Sequence, residues 1–208
     1  MPSLGRLHLI TDTRPGRQPL AVLRAVLPVA RAELVVQVRV EDDATDREAY
    51  ELASRVVGLC RPYGATCLVN DRLHVALAVG AAGGHVGAED LPVAAARRVL
   101  GAGAVLGATA REPGGAAAAV AAGASYLGVG PCHATTTKSG LPEPIGPAGL
   151  RAVAGAVDVP VIAIGGVTAA SVPALRAAGA YGVAVVGALS ASPDPGRTTA
   201  ELIEALAC

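Results

Sequence analysis

Short apolar runs rich in β-branched residues recur about every 25 residues along the chain. Such runs are typical of buried strands when glycine, proline and polar residues bound them. We therefore predict strands at 7–11, 34–40, 66–70, 85–87, 105–109, 126–130, 161–165 and 183–186. The segments between them carry apolar residues at helical spacing, which predicts helices near 20–32, 46–61, 72–81, 91–100, 115–122, 147–156, 169–178 and 196–207.

Eight alternations of strand and helix without a long linker indicate a parallel sheet covered by helices. Eight is also the number of strands that closes a barrel filled by its own side chains. The dipeptide Gly-Ala precedes four predicted strands, at 64–65, 103–104, 123–124 and 179–180, where glycine suits the left-handed end of a helix. We therefore predict a single-domain (β/α)8 TIM barrel over residues 1–208, with an open doubly wound sheet as the alternative.

Composition narrows the functional classes. The 17 basic and 17 acidic residues balance without a run of like charges, which argues against nucleic-acid and membrane-surface partners. Trp and Phe are absent, so a stacking platform for single-stranded nucleic acid is not expected. The chain shows neither a signal peptide nor a convincing membrane span, and its four cysteines lack metal-site or disulfide spacing. We expect a cytoplasmic protein that acts on small molecules, and a homo-oligomer is compatible with the sequence.

Two carboxylates follow neighbouring predicted strands, Asp71 after the third and Asp90 after the fourth. In a (β/α)8 barrel, chemistry takes place where the strands end and the following loops begin. Each carboxylate could instead cap the helix that follows it. Together they suit a hard divalent cation such as Mg²⁺, bound through one or two carboxylates and a substrate phosphate.

Gln37 and Arg39 share one face of the second predicted strand, because side chains alternate with period two. This face is expected to look into the barrel, where Arg39 either pairs with a carboxylate or binds a diphosphate. Glycines lie in the runs 162–167 and 183–189, at the ends of the last two predicted strands. Their N–H groups can approach a phosphate closely, although tight turns use glycine without a ligand as well.

The segment GPCHATTTKSG follows the sixth predicted strand. Hydroxyl groups and an ammonium group in such a loop are typical anion ligands, and a solvated loop is the alternative. Lys138 is the single lysine among the 17 basic residues, which suggests a position where arginine cannot replace it. His133 has no partner that the sequence identifies, and Tyr126 is expected to serve packing.

Six motifs in this order resemble the thiamine-phosphate synthase family: QVRVE at 37–41, VNDR at 69–72, HVGAED at 85–90, LGAT at 106–109, GVGPCHATTTK at 128–138 and AIGGV at 163–167. The similarity spans essentially the whole chain, and its specificity lies in the ordered set. It implies a transferase of thiamine biosynthesis that joins hydroxymethylpyrimidine diphosphate to a thiazole phosphate and releases pyrophosphate.

The resemblance also implies roles for individual residues. Asp71 and Asp90 would coordinate Mg²⁺ on the diphosphate, while Arg39 and Lys138 would be the catalytic cations at the leaving group. The other substrate-binding positions that it implies are Gln37, Glu41, Asn70 and Thr109 for the pyrimidine diphosphate, and Thr135, Thr136, Thr137, Gly166, Val186 and Gly187 for the thiazole phosphate. No protein nucleophile is required if the C–O bond breaks first, so we expect catalysis by positioning and electrostatics.

Two positions depart from the family pattern. Glu41 stands where the family has lysine, and its carboxylate would repel a diphosphate unless it faces away or joins the metal shell. Arg111 stands where the family often has histidine. Two alternatives remain: an isomerase similar to thiazole tautomerase, which uses that histidine, and a barrel that binds thiamine precursors without turnover. The pair Asp71 and Asp90 favours the synthase over the isomerase.

Replacing Lys138 with alanine is predicted to abolish nearly all synthesis of thiamine phosphate, because Lys138 would be the only ammonium group at the leaving diphosphate. Initial rates with both substrates and Mg²⁺ measure the effect. Near-normal turnover of this variant would overturn the role assigned to Lys138.

Overall fold

Eight short parallel strands close into a ring in which their spatial order is their order in the sequence, with β1 paired to both β2 and β8. The computed structural model describes residues 4–135, 137, 140 and 142–207. The strands are β1 Leu7–Ile10, β2 Leu34–Val38, β3 Thr66–Asn70, β4 Gly83–Val86, β5 Val105–Ala110, β6 Tyr126–Val129, β7 Val161–Ile164 and β8 Gly182–Val185. The predicted (β/α)8 TIM barrel is confirmed.

Helices follow the strands around the outside of the ring. They are α1 Pro19–Ala30, α2 Asp46–Cys60, α3 Leu73–Val79, α4 Val93–Leu100, α5 Pro113–Ala121, α6 Gly146–Ala154, α7 Val172–Ala177, α8 Gly187–Ser190 and α9 Pro195–Ala207. The sequence pattern misses α8, because one turn of helix is too short to show a period. None of the helices in the described ranges is long and apolar enough to cross a membrane.

Strand ends differ from the predicted ones by up to two residues. β4 begins at Gly83, two residues before the predicted start, because paired glycines there show no β-branched signal. β2 ends at Val38, so Arg39 lies just beyond the strand and at the rim of the barrel. The Gly-Ala prediction holds at Gly64, Gly123 and Gly179, which have positive φ angles of 68°, 107° and 97°. It is wrong at residue 103, since Gly101 at the C-cap of α4 takes the positive φ angle, 79°, instead.

The two faces of the strands are filled differently. The face toward the helices belongs to the larger hydrophobic cluster, which includes Leu7, Leu9, Val36 and Val38 together with buried helical residues. The inner face is a smaller cluster formed by Ile10, Val35, Leu68, Tyr126, Ile162 and Ala184. His8, Gln37 and His85 are buried as well, and they alternate with outward-facing neighbours. The inside of the barrel is therefore a mixed apolar and polar core.

Two glycines on neighbouring strands make room for the large side chains inside the barrel. Gly107 of β5 lies in register with both His85 and Tyr126. A Cβ atom on Gly107 would overlap the Tyr126 ring and the His85 Nδ1 atom, and one on Gly128 would lie 3.1 Å from His85 Cε1. The space that these glycines leave empty is thus occupied by one tyrosine and one histidine.

Replacing Gly107 with alanine is expected to lower the free energy of unfolding by about 1–3 kcal/mol, because a methyl group there overpacks the barrel. Gly114→Ala is the matched control, since a Cβ atom at Gly114 meets nothing within 4 Å and the site lies in α5. The control should retain or slightly raise stability. Urea unfolding compares the variants, and equal stability of the two would contradict the packing argument.

Candidate active site

The carboxylates of Asp71 and Asp90 both lie exposed at the carboxyl edge of the barrel, after the paired strands β3 and β4. Asp71 has a φ angle of 58°, and its N–H donates to the carbonyl of His85 at 2.8 Å. The Oδ2 atom of Asp90 accepts a hydrogen bond of 2.7 Å from the N–H of Gly87. The backbone of Asp71 is thereby fixed against β4, and the carboxylate of Asp90 is fixed by the backbone that follows β4.

The helix-cap interpretation is wrong for both carboxylates. Arg72 stands at the N-cap of α3 and Pro92 at that of α4, and neither helix has a side-chain cap. Asp71 and Asp90 therefore lie in turns that precede the cap positions. Among the residues that the structure describes, no group of three or more His, Cys, Asp or Glu side chains could hold a metal ion. A cation at this edge would therefore complete its shell with oxygen ligands from a substrate or from water.

Arg39 and Glu41 pair with each other at the rim beyond β2. The Nη1 atom of Arg39 lies 3.3 Å from the Oε1 atom of Glu41, and its Nη2 atom lies 3.7 Å from Asp42. The backbone of Arg39 exchanges hydrogen bonds with the hydroxyl of Thr11, at 2.8 Å and 2.7 Å. Arg39 thus forms the ion pair with a carboxylate that was one of its two predicted roles. The pair lies at the rim and joins near neighbours in the chain.

Gln37 faces the inside of the barrel, in register with Ile10 and Leu68. Its side chain is buried, and its Nε2 atom has no hydrogen-bond partner among the described residues. The Nε2 atom of His8 is in the same situation. A buried amide or imidazole without a partner loses hydrogen bonds that water would supply, so these atoms mark a place where a ligand or water fits.

His85 connects the inside of the barrel to its mouth. Its Nδ1 atom lies 3.0 Å from the hydroxyl of Tyr126, and its Nε2 atom lies 3.1 Å from the hydroxyl of Thr109. His8 meets the edge of the Tyr126 ring at a centroid distance of 5.2 Å. Asn70, the last residue of β3, lies in register with His85. Tyr126 packs in the inner hydrophobic cluster as expected, and its hydroxyl in addition meets His85.

The titratable groups inside the barrel are neutral at pH 7. Burial lowers the pKa of His85 to about 4. Burial, together with the nearby His85, lowers the pKa of His8 to about 3. Burial also raises the pKa of Tyr126 above its usual range. The barrel interior therefore offers uncharged hydrogen-bonding groups, and the charged side chains lie at the rim.

The threonine loop after β6 lies against the start of α8. The hydroxyls of Thr135 and Thr137 are 3.1 Å apart, and a Cβ atom on Gly187 would lie 3.5 Å from Thr137 Oγ1. Val186 stands at the N-cap of α8. The structure thus brings the predicted phosphate-binding residues of β6 and β8 together. Thr136 and Lys138, both predicted for this site, lie outside the described residues.

Gly165 and Gly166 lie beneath the first part of the same loop. The N–H of His133 donates to the carbonyl of Gly165 at 3.0 Å. A Cβ atom on Gly166 would lie 2.5 Å from the carbonyl oxygen of Ala134, and one on Gly165 would lie 2.5 Å from Pro131 Cβ. These two glycines therefore allow the loop to pack closely on the end of β7.

Arg111 connects the two ends of this loop. Its Nε atom donates to the carbonyl of Gly130 at 3.2 Å, and its Nη2 atom donates to the carbonyl of Glu143 at 2.6 Å. The two acceptors flank the threonine segment on both sides. The guanidinium group is thus engaged with the backbone of the loop, a role that the sequence did not predict.

A charged cluster after β1 also escaped the sequence analysis. The side chain of Asp12 is 2% exposed, and both its oxygens accept from Arg14 at 2.8 Å. The Oδ2 atom of Asp12 also lies 3.4 Å from Arg17 and accepts from Ser190 Oγ at 2.6 Å. The hydrogen bond from Arg14 is the largest cause that lowers the pKa of Asp12 to about 2. A buried aspartate after a strand, followed by arginines, was the signal available in the sequence.

Replacing Asp12 with asparagine is expected to destabilise the protein at pH 6 by about 1–2 kcal/mol, because the folded protein holds the ionised carboxylate. Since the folded-state pKa lies below the ordinary value of 3.8, this stabilisation is present above about pH 4 and is lost as the pH falls toward 2. Urea unfolding of both proteins between pH 6 and pH 3 measures the difference. A difference that stays constant over this range would contradict the ion-pair account.

Comparisons with known protein sequences match nearly the whole chain, including all eight strands. A sequence profile of the thiamine monophosphate synthase family matches residues 7–189. The chain is 76% identical over 208 residues to a thiamine-phosphate synthase of Salinispora arenicola (strain CNS-205), with 100% of both chains covered. It is 73% identical over 206 residues to a thiamine-phosphate synthase of Salinispora tropica, with 99% of both covered.

A solved structure agrees with these matches. Thiamine phosphate pyrophosphorylase from Pyrococcus furiosus superposes with a TM-score of 0.87 at 32% sequence identity, over 97% of this chain and 95% of that chain. The match of the family profile begins at β1 and ends in α8, so it spans the barrel and every strand end described above. The chain belongs to the thiamine monophosphate synthase family.

Proposed function

We propose that this chain joins hydroxymethylpyrimidine diphosphate to a thiazole phosphate, with release of pyrophosphate and formation of thiamine phosphate. Membership of the family makes the chain a transferase of thiamine biosynthesis acting on small molecules. The observation that carries the proposal of these two substrates is that the barrel mouth has two chemically different edges. Carboxylates and Arg39 occupy the edge of β2 to β4, whereas threonine hydroxyls meet Gly187 at the edge of β6 to β8.

The inside of the barrel suits the pyrimidine. The unpaired Nε2 atom of Gln37 can donate to a ring nitrogen, and the exposed hydroxyl of Thr109 can contact the ring from the mouth. A pyrimidine methylene that loses its diphosphate carries positive charge. Because the pKa values of His8 and His85 are low, no buried imidazolium would oppose that charge at pH 7. The neutral interior thus favours a dissociative displacement.

The carboxylates suit Mg²⁺ in their chemistry and their exposure. Both are hard oxygen donors, both are exposed, and neither caps a helix. Mg²⁺ usually takes one or two protein carboxylates and fills its shell with phosphate oxygens and water. Asp71 and Asp90 would hold the ion against the diphosphate, with Asn70 and Arg39 beside them. When bound, the ion supplies positive charge at the leaving group.

The edge of β6 to β8 suits the phosphate of the thiazole substrate. Thr135 and Thr137 present hydroxyl groups beside Gly187, and Gly166 lies under the same loop. Thr136 completes this set in the sequence, and the backbone N–H groups near Val186 offer further donors. Arg111 supports the site indirectly, since it holds the loop through Gly130 and Glu143.

The reaction needs one bond to break and one to form. The C–O bond between the pyrimidine methylene and the diphosphate breaks, and the electron pair leaves with pyrophosphate. The thiazole nitrogen then donates its pair to the methylene carbon. Arg39 and Lys138 are proposed as the catalytic cations that stabilise the departing diphosphate, while the protein otherwise contributes positioning.

The structure weighs against both alternatives. An isomerase that uses a histidine after β5 would find Arg111 there, engaged with two backbone carbonyls. A barrel that binds without turnover was suggested by the negative charge of Glu41. That charge is paired with Arg39 at 3.3 Å, so it does not stand alone at the diphosphate edge.

The test is synthesis of thiamine phosphate from both substrates with Mg²⁺. Asp90→Ala is expected to lower kcat/KM by about 100-fold or more, because charge on the leaving group loses its stabilisation. Glu89→Ala is the matched control, since Glu89 is the exposed carboxylate next in sequence and has no proposed role. The control should retain activity.

Other results would favour the alternatives. Tight binding of both substrates without product would support the binding barrel, and conversion of the thiazole alone would support the isomerase. Synthesis unaffected by Asp90→Ala would overturn the metal assignment. A cytoplasmic location and a homo-oligomeric state stay predictions from the sequence.

A further inference from the structure

Arg14 is fixed at the mouth of the barrel by a buried carboxylate. Its Nε and Nη2 atoms both donate to Asp12 at 2.8 Å, and the Asp12 side chain is 2% exposed. The Arg14 side chain itself is 32% exposed. A two-point ion pair with a buried partner holds the guanidinium plane in one orientation, unlike a surface pair between two mobile side chains. Arg14 is therefore oriented before any ligand arrives.

The Asp12 carboxylate contacts more positive charge than its own single negative charge balances. Asp12 also meets Arg17 at 3.4 Å and accepts from Ser190 Oγ at 2.6 Å. Arg17 is the more exposed of the two arginines, and its Nη1 atom donates to the Ser190 carbonyl on the β8 side. One carboxylate thus serves two guanidinium groups, which leaves net positive charge at the end of β1.

That positive charge lies beside the edge proposed for the diphosphate. The β1 loop is tied to the end of β2 by the hydrogen bonds between Thr11 and Arg39. The negative charge of Glu41, although weaker than the contacts with Asp12, contributes to raising the pKa of Arg14. The Nη1 atom of Arg14 makes no hydrogen bond to any described residue in the structure, so its donors are available to an anion.

We propose that Arg14, oriented by Asp12, is a further residue that binds the diphosphate of the pyrimidine substrate and offsets the negative charge of Glu41. The inference rests on the proposed function, because it assigns an additional contact to the same diphosphate. Arg39 is engaged with Glu41 and Asp42, whereas Arg14 has unused N–H groups. Arg14 thus supplies from β1 a second cation beside the β2 edge, where Arg39 is already paired with two carboxylates.

Arg14→Ala tests the contact. The variant is expected to raise the KM for the pyrimidine diphosphate by about 10- to 100-fold, the size of one charge-assisted hydrogen bond. The KM for the thiazole phosphate should change less than about two-fold, because that site lies at β6 to β8. Arg17→Ala is the matched control: it also removes a cation from Asp12, but it should leave both KM values unchanged.

A second variant separates charge from structure. Adding Glu41→Lys to Arg14→Ala is expected to restore most of the lost affinity, because a cation returns to the same edge. A lysine at position 41 replaces a carboxylate at the β2 rim and does not restore the two-point bond to Asp12, so it would not repair a loop that had merely loosened. Thermal unfolding of each variant records stability independently of KM.

The results separate this inference from the proposed function. If the unchanged protein synthesises thiamine phosphate and Arg14→Ala leaves its KM values within two-fold, the inference is wrong and the function stands. A raised KM without rescue by Glu41→Lys would assign Arg14 a structural role, which also overturns the inference. If the unchanged protein makes no product, the proposed function fails. Weaker calorimetric binding of pyrophosphate with Mg²⁺ by Arg14→Ala would still support the contact.

Discussion

The contact between Tyr126 and His85 inside the barrel is the constraint on which the rest of the site depends. Tyr126 is the largest side chain that is completely buried, in a chain without Phe or Trp. Its hydroxyl reaches His85 at 3.0 Å only because Gly107 and Gly128 leave the intervening volume empty. The same histidine reaches Thr109 with its other nitrogen. The packing of Tyr126 against His85 thus fills the interior and also places His85 within reach of the Thr109 hydroxyl at the mouth.

This arrangement separates polar groups by depth. Deep in the barrel, burial keeps His8 and His85 uncharged, and ion pairs are found at the rim instead. Ionised groups in the interior would lose hydration that no partner replaces. At the rim, the charges remain partly hydrated and can exchange partners with a ligand. A substrate with an aromatic ring and a charged tail fits this arrangement, because its ring would meet the uncharged interior and its phosphates the charged rim.

The sequence predicted the architecture well because a barrel repeats one local pattern. β3 was placed with both ends correct, and the other strands were placed within two residues. Asp71 and Asp90 could be located because they lie in the turns after β3 and β4. Contacts between distant residues were out of reach: Arg111 contacts Glu143 and Asp12 contacts Ser190, and no periodicity relates these positions. The one-turn helix α8 was missed because it is shorter than a detectable period.

The hydrogen bond between Ser190 and Asp12 joins positions 178 residues apart and lies beside the pairing of β8 with β1. A contact of such sequence separation costs more loop-closure entropy than a local one, because it forms only when distant parts of the chain are brought together. During synthesis on the ribosome, the first strand and its arginines emerge long before the residue that completes their anchor. The edge at β1 that we propose for the diphosphate is therefore complete only after α8 has been made. An arrested chain that ends before α8 would contain both arginines without the serine that helps to orient their carboxylate.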